Sequence, residues 1–180
     1  MSDAERWDLK HTAAEGTPLQ AADGFLVSVL DALELPAGTR ALDLAAGRGR
    51  QTRELVRRGF DVEAWDVSPR GLEQLQTNVP GAAVRCVDLS TRPLPAGLFD
   101  LVVIVDFLDR ELLADLQRLV VPGGHVVATT FTLDRIGARP SAAFCLKPGE
   151  LEFGLPGFER AHSMETNGRA GWSGRRVLNA

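Results

Sequence analysis

The sequence predicts an α/β fold, a doubly wound and mostly parallel sheet closed by an antiparallel terminal hairpin. Three observations carry this. Between residues 40 and 131, short apolar runs alternate with segments whose apolar residues recur at helical spacing. The run Leu101-Val102-Val103-Ile104-Val105 is continuously apolar, as suits a strand covered on both faces. The first strand, ending Asp43-Leu44-Ala45-Ala46, passes through Gly47 and Gly49 into a helix. That is the shape of a nucleotide-binding turn, because glycine lets backbone approach a ligand and the first amides of a helix are partly positive.

Each element follows from local chemistry. Residues 1–20 form a polar arm with Trp7 as its one large aromatic and a turn at Gly16-Thr17-Pro18; the arm either anchors the terminus or covers a site. A helix over 20–35 is expected from Phe25, Leu26, Val29, Leu30 and Leu33, and Pro36-Ala37-Gly38 ends it. Strand one is 40–44, and the helix after the glycines turns Leu55 and Val56 inward before Gly59 closes it. Strand two, 62–65, leads to Asp66. Ser68 as N-cap and Pro69 in the first turn start a helix over 69–76, and strand three is 83–87, with Asp88 at its end. A loop over 90–97, with Pro93 and Pro95, reaches strand four at 99–105. A helix over 109–120 stops at Pro122-Gly123-Gly124, before strand five at 125–131. A long loop, 133–148, and a short helical segment near 149–153 precede a hairpin of 158–165 with 172–178 around residues 167–171.

Composition excludes several classes. At 44% hydrophobic and 24% charged, the chain is that of an ordinary globular protein, long enough for one domain over 1–180. A net charge of -4 argues against a nucleic-acid backbone as partner. Cys86 and Cys145 have no metal-ligand spacing, so no metal is expected, and both are read as buried small hydrophobes. The start lacks the pattern of a signal peptide, and no apolar stretch nears the roughly 20 residues that span a bilayer. A cytoplasmic protein, monomer or homodimer, is the expectation.

A glycine-bearing turn alone is shared by nicotinamide, flavin and other nucleotide binders. The dinucleotide pattern wants a third glycine, but Arg50, Gln51 and Thr52 follow Gly49, and no Gly-Lys-Ser/Thr makes a P-loop. Asp43 lies inside a strand that should be apolar, so it needs a polar role. Asp66 stands where this fold places an acid to accept from a ribose diol. Together with Asp88, these carboxylates would repel a pyrophosphate and suit a ligand with an ammonium, a ribose diol and a neutral adenine. S-adenosylmethionine meets those requirements. A nicotinamide-dependent oxidoreductase is the rival from another class.

Residues 41–52, Asp66, the Asp88 strand end and Val121-Pro122-Gly123-Gly124-His125-Val126-Val127 resemble the successive motifs of class I S-adenosylmethionine-dependent methyltransferases, over about 40–131. Within that class, Phe107-Leu108-Asp109-Arg110-Glu111-Leu112, Thr129-Thr130-Phe131-Thr132 and Leu146-Lys147-Pro148-Gly149-Glu150-Leu151 resemble the tellurite-resistance-like methyltransferases. The resemblance implies a Rossmann-like, seven-stranded sheet and an S-adenosylmethionine site. In that site Asp43, Ala45, Gly47 and Gly49 serve the methionine moiety, Asp66 the ribose, Val67 the adenine face, Asp88 and Leu89 the adenine edge, and the backbone at Val105 the ammonium. This chain departs from the class in having Ala45-Ala46 where a glycine and often a cysteine stand, and in having no Tyr where relatives often carry one near His11.

Methyl transfer is an in-line displacement, so the protein chiefly positions a small-molecule acceptor and excludes water. An anion or chalcogen oxyanion needs no base; a hydroxyl or amine would. Asp106 and Arg110 are the candidates for positioning the acceptor, with Arg135, Arg139, Glu150 and His11 also at loop and strand ends. Arg110 either clamps an anionic acceptor or pairs with Asp106 or Glu111. His125 and His162 are read as structural, and a thiol near the site, in the acceptor-side loop 133–150, is the lesser alternative to Cys145 as a buried hydrophobe. The alternative function is a protein that binds or senses S-adenosylmethionine without turnover.

Overall fold

In the computed structural model, which describes residues 1–91, 94, 98–135 and 140–178, the helices are α1 (Asp3–Ala13), α2 (Gly24–Leu33), α3 (Arg50–Arg57), α4 (Pro69–Asn78) and α5 (Arg110–Asp115). The strands are β1 (Arg40–Leu44), β2 (Asp61–Asp66), β3 (Ala83–Cys86), β4 (Phe99–Val105), β5 (Val120–Phe131), β6 (Phe158–Thr166) and β7 (Arg169–Arg176). Among the described residues they form one seven-stranded sheet, in the order β3-β2-β1-β4-β5-β7-β6. β1 with β2, β2 with β3 and β4 with β5 pair in parallel, and β7 pairs antiparallel with both β5 and β6. The expected fold class is the observed one.

Contacts divide the chain into two compact units, Met1–Asp23 with Leu35–Pro95 and Gly24–Glu34 with Ala96–Ala180. In the first, β1 and β2 run in register from Arg40↔Asp61 to Leu44↔Trp65. The chain alternates as a half-wound unit because each strand's apolar side chains need a helix cover: Ala46, Ala64, Leu72, Leu75 and Val79 form one buried cluster between β2 and α4. The Ser68 hydroxyl accepts from the Gly71 amide at 2.9 Å, capping α4 with Pro69 in its first turn as the sequence predicts. In the second unit Leu101, Val102, Val103 and Ile104 are buried on both faces, as the unbroken apolar run demands.

Several details differ from expectation. The polar arm is helical: Ser2 and Glu5 make a reciprocal capping box that starts α1. α5 is shorter than 109–120 because its last turn tightens into a 3-10 turn, Leu116–Arg118. β5 begins at Val120, not 125, with residues 121–124 standing opposite Asp100 alone. Pro122 has no amide for the ladder, and a Cβ on Gly124 would lie 2.9 Å from the Asp100 carbonyl, so a bulge holds the Pro-Gly-Gly sequence. The hairpin turn is only Asn167-Gly168, both at positive φ, with Thr166 opposite Arg169. Cys145 is buried, but Cys86 is exposed. The predicted Pro93 and Pro95 turn lies outside the described residues.

Candidate functional site

In the first unit, the turn after β1 is a tight reversal in which the Gly49 amide donates to the Ala46 carbonyl at 3.0 Å. Ala45 sits at φ 55°, Gly47 at 54° and Gly49 at 92°. A left-handed alanine costs on the order of 1 kcal/mol relative to glycine, and Ala45 bears that cost in this turn. The two glycines have different uses. A Cβ on Gly49 would stand 2.8 Å from Leu75 Cγ, so this glycine is needed for α4 to close on the turn. A Cβ on Gly47 would point at the His11 ring, 3.3 Å from Cε1.

Asp43 and Asp66 brace the turn from below. Asp43 is 1% exposed and its Oδ2 accepts from the Thr52 hydroxyl at 2.6 Å, tying the strand to the first turn of α3. Burial pushes its carboxyl up to about 7, against the pull of the Thr52 hydrogen bonds. Asp66, 6% exposed, accepts the Gly47 amide on Oδ2 at 2.8 Å and the Ser68 amide on Oδ1 at 2.9 Å. Two amides thus fix the plane of this carboxylate at the end of β2. Each oxygen keeps a second lone pair, so the group still fits a diol donor. In acceptor capacity the Asp66 carboxylate therefore fits a ribose diol such as that of S-adenosylmethionine.

Val67 is half-buried just beyond Asp66. Asp88 is exposed, two residues past the end of β3, and accepts from the Ser90 amide at 2.9 Å and the Ser90 hydroxyl at 2.6 Å, an Asx turn that orients its carboxylate; Leu89 beside it is buried.

The arm meets this site through Asp8 and Gln74, which sequence reasoning missed, and through the candidate His11, which lies on α1 beside Gly47. Ser68 donates its hydroxyl to Asp8 Oδ1, which also accepts from the Arg70 amide at 3.1 Å. Gln74 Nε2 donates to the His11 carbonyl at 3.1 Å. His11 stacks on Trp7 with ring centroids 5.8 Å apart, and burial holds its pKa below the ordinary histidine value, with Asp66 opposing. The capping box at Ser2 was the available signal for this helix; nothing local marks Asp8 as its anchor.

The second unit holds the acceptor-side candidates. Val105 ends β4 and is buried. Asp106 follows at φ 59°, a left-handed conformation held by its amide, which donates to the Thr129 carbonyl at 2.9 Å. Its partner is Arg169, whose Nη2 reaches Asp106 Oδ1 at 2.7 Å and Thr129 Oγ1 at 3.1 Å. Arg110 takes none of its expected roles. Its Nε and Nη2 fork the Glu150 carboxylate at 2.5 and 2.9 Å, and Nη2 also reaches the Cys145 carbonyl, so the fork that would hold an anion is filled by Glu150. His162 Nδ1 lies 3.2 Å from Ser173 Oγ on the hairpin, and His125 has its pKa lowered by burial and Arg175. Arg139 lies outside the described residues. No cluster able to hold a metal occurs among the described residues.

With this geometry in hand, residues 41–124 match the family model described as a methyltransferase domain. The chain is 33% identical over 111 residues to the demethylmenaquinone methyltransferase of Beutenbergia cavernae, covering 58% of this chain and 46% of that protein. The match spans about half the length of such curated relatives. Among solved structures, TehB from Haemophilus influenzae superposes with a TM-score of 0.74 at 19% identity, over 91% of this chain and 65% of that one. A TehB-like SAM-dependent methyltransferase from Corynebacterium glutamicum gives 0.66 at 21% identity, over 96% and 95% of the two chains.

Proposed function

We propose that this chain is a class I S-adenosylmethionine-dependent methyltransferase and that it moves a methyl group in line from S-adenosylmethionine to a small anionic acceptor, a chalcogen oxyanion being the first candidate; the methyltransferase-domain match over residues 41–124 supports this reading. The reading treats residues 1–180 as one methyltransferase domain of the tellurite-resistance-like kind, acting in the cytoplasm as monomer or homodimer. The observation that carries it is Asp66, an acid held by the Gly47 and Ser68 amides at the end of the second strand, beside a turn that lacks the third glycine of a dinucleotide binder.

In this reading Asp66 receives the ribose hydroxyls without needing to reorient, because two backbone donors already fix it. Asp43 holds the turn to α3 through Thr52, and Ala45, Gly47 and Gly49 shape the backbone around the methionine moiety. Val67 lies against the adenine, and Asp88 with the Leu89 amide meets its edge. The part of Val105 stands on the family resemblance. The cofactor supplies a methyl carbon already activated by sulfonium. The chain's own work is to bind, to orient and to keep water out, and an anionic acceptor needs no base. Asp106, paired with Arg169, serves acceptor positioning, whereas Arg110 acts through Glu150, holding the loop that carries it.

The test is transfer of labelled methyl from S-adenosylmethionine to a panel of selenite, tellurite, small thiols and small carboxylates. Labelled product from an oxyanion supports the reading. Product only from a thiol or carboxylate corrects the acceptor, and tight cofactor binding with no product from any member would favour the non-catalytic sensor.

A further inference from the structure

Within the second unit, Phe131, Asp134, Arg135, Asn167, Gly168 and Arg169 line a cavity of about 370 Å3, the size range of small-ligand sites. Two guanidinium groups meet at one ring there: the Cζ atoms of Arg169 and Arg135 lie 4.6 and 4.8 Å from the Phe131 centroid. Arg169 is neutralised by Asp106. Arg135 is not. Its Nη1 reaches the Pro140 carbonyl at 3.3 Å, and among the described residues no carboxylate pairs with it. Asp134, the acid in the lining, is exposed and accepts the Thr132 hydroxyl. Asp106 and Asp134 together balance the two arginines in formal charge, but neither carboxylate pairs with the Arg135 guanidinium, so its N–H edge is what the cavity offers an anion.

This is a built arrangement rather than a loose surface arginine. The buried Thr132 donates its amide to the Gly168 carbonyl at 2.9 Å and accepts the Arg135 amide at 3.3 Å. Gly168 stands at φ 72°, and a Cβ there would fall 2.4 Å from Arg135 Cα. The hairpin tip is pressed backbone to backbone against Arg135, so glycine at 168 is what lets the two segments meet. Phe131 and Arg169 face each other as a cross-strand pair of β5 and β7, which sets the other wall.

We propose that this cavity is an anion-binding site, with the guanidinium edge of Arg135 as the handle for the carboxylate or oxyanion group of a small molecule. The ring face of Phe131 is already taken by guanidinium, so the anion docks to the N–H edge and the ligand's body extends into the cavity. The assignment rests on the methyl-transfer reading only for calling that anion the acceptor.

The experiment titrates benzoate, selenite and neutral benzamide into the full chain labelled with 15N, following the Gly168 and Arg169 amides, with S-adenosylhomocysteine binding measured on the same sample. Saturable shifts with benzoate or selenite, none with benzamide, and a roughly tenfold weaker anion affinity in Arg135→Gln support the site. Whichever anion binds more tightly identifies carboxylate or oxyanion as its preferred group. Gly168→Ala should weaken the same anion while the protein stays folded by circular dichroism. Equal response to benzamide, no saturable shift with either anion, or an affinity unmoved by Arg135→Gln overturns it. Loss of anion binding with S-adenosylhomocysteine still bound sinks this inference alone; the converse sinks the methyltransferase reading and leaves the site.

Discussion

Asp43 is the residue whose burial has the plainest thermodynamic consequence. Its carboxyl is raised to about 7 because the charged form is desolvated, and the Thr52 hydroxyl at 2.6 Å only partly offsets this. The sign follows from proton binding. Between about pH 4, where an unfolded aspartate ionises, and about pH 7, the folded state holds a proton that the unfolded chain has released, so stability falls as pH rises through that window and is flat above it. The loss is on the order of 4 kcal/mol at most. Asp43→Asn keeps an acceptor for Thr52 and removes the titration. Thermal unfolding should therefore show the variant gaining on the parent between pH 5 and pH 8, and a constant difference in Tm across that range would mean that Asp43 is charged at little cost in the fold.

At the scale of elements, α1 is the least anchored helix. None of its residues is buried, and its Arg70–Glu15 and Arg48–Thr17 neighbours are exposed polar contacts of small individual worth. What remains is Asp8 on Ser68 and the Arg70 amide, the Gln74 hydrogen bond to the His11 carbonyl, and the His11 ring against Gly47 and Gly71. Asp8→Ala should speed amide exchange in α1 and the first turn of α4 by roughly tenfold while global Tm moves little, since a lost cap costs about 1 kcal/mol. Unchanged exchange would show that the His11 packing and the Gln74 hydrogen bond hold the arm without Asp8. β1 and β4 have the predicted bounds, because a short apolar run between polar turns has few other solutions. α1 escaped because its pattern is polar, although Ser2 and Glu5 carried the cap; the β5 start escaped because Pro-Gly-Gly reads locally as a turn and only the partner strand makes it a bulge.

For the molecule as a whole, the geometry of the proposed donor side was more legible than that of the proposed acceptor side, and the reason is sequence separation. Asp43, Asp66 and the glycines lie within one strand–turn–helix–strand stretch, where spacing maps directly onto space. The pairs Asp106–Arg169, Arg110–Glu150 and Asp8–Ser68 are joined across 63, 40 and 60 residues, and among 20 basic and 24 acidic side chains nothing local selects those partners. Long-range strand pairing makes the choice: the β5–β7 register puts Arg169 across from Phe131. Binding of S-adenosylmethionine through Asp66 can be measured by calorimetric titration of the parent and Asp66→Ala with S-adenosylhomocysteine and NAD. The expected result is one-site binding of S-adenosylhomocysteine, none of NAD, and at least about tenfold weaker binding in the variant with its circular dichroism unchanged, from loss of charge-assisted hydrogen bonds of about 1.5–3 kcal/mol each. Binding of NAD alone, or a dissociation constant for S-adenosylhomocysteine that Asp66→Ala leaves unmoved, would contradict it.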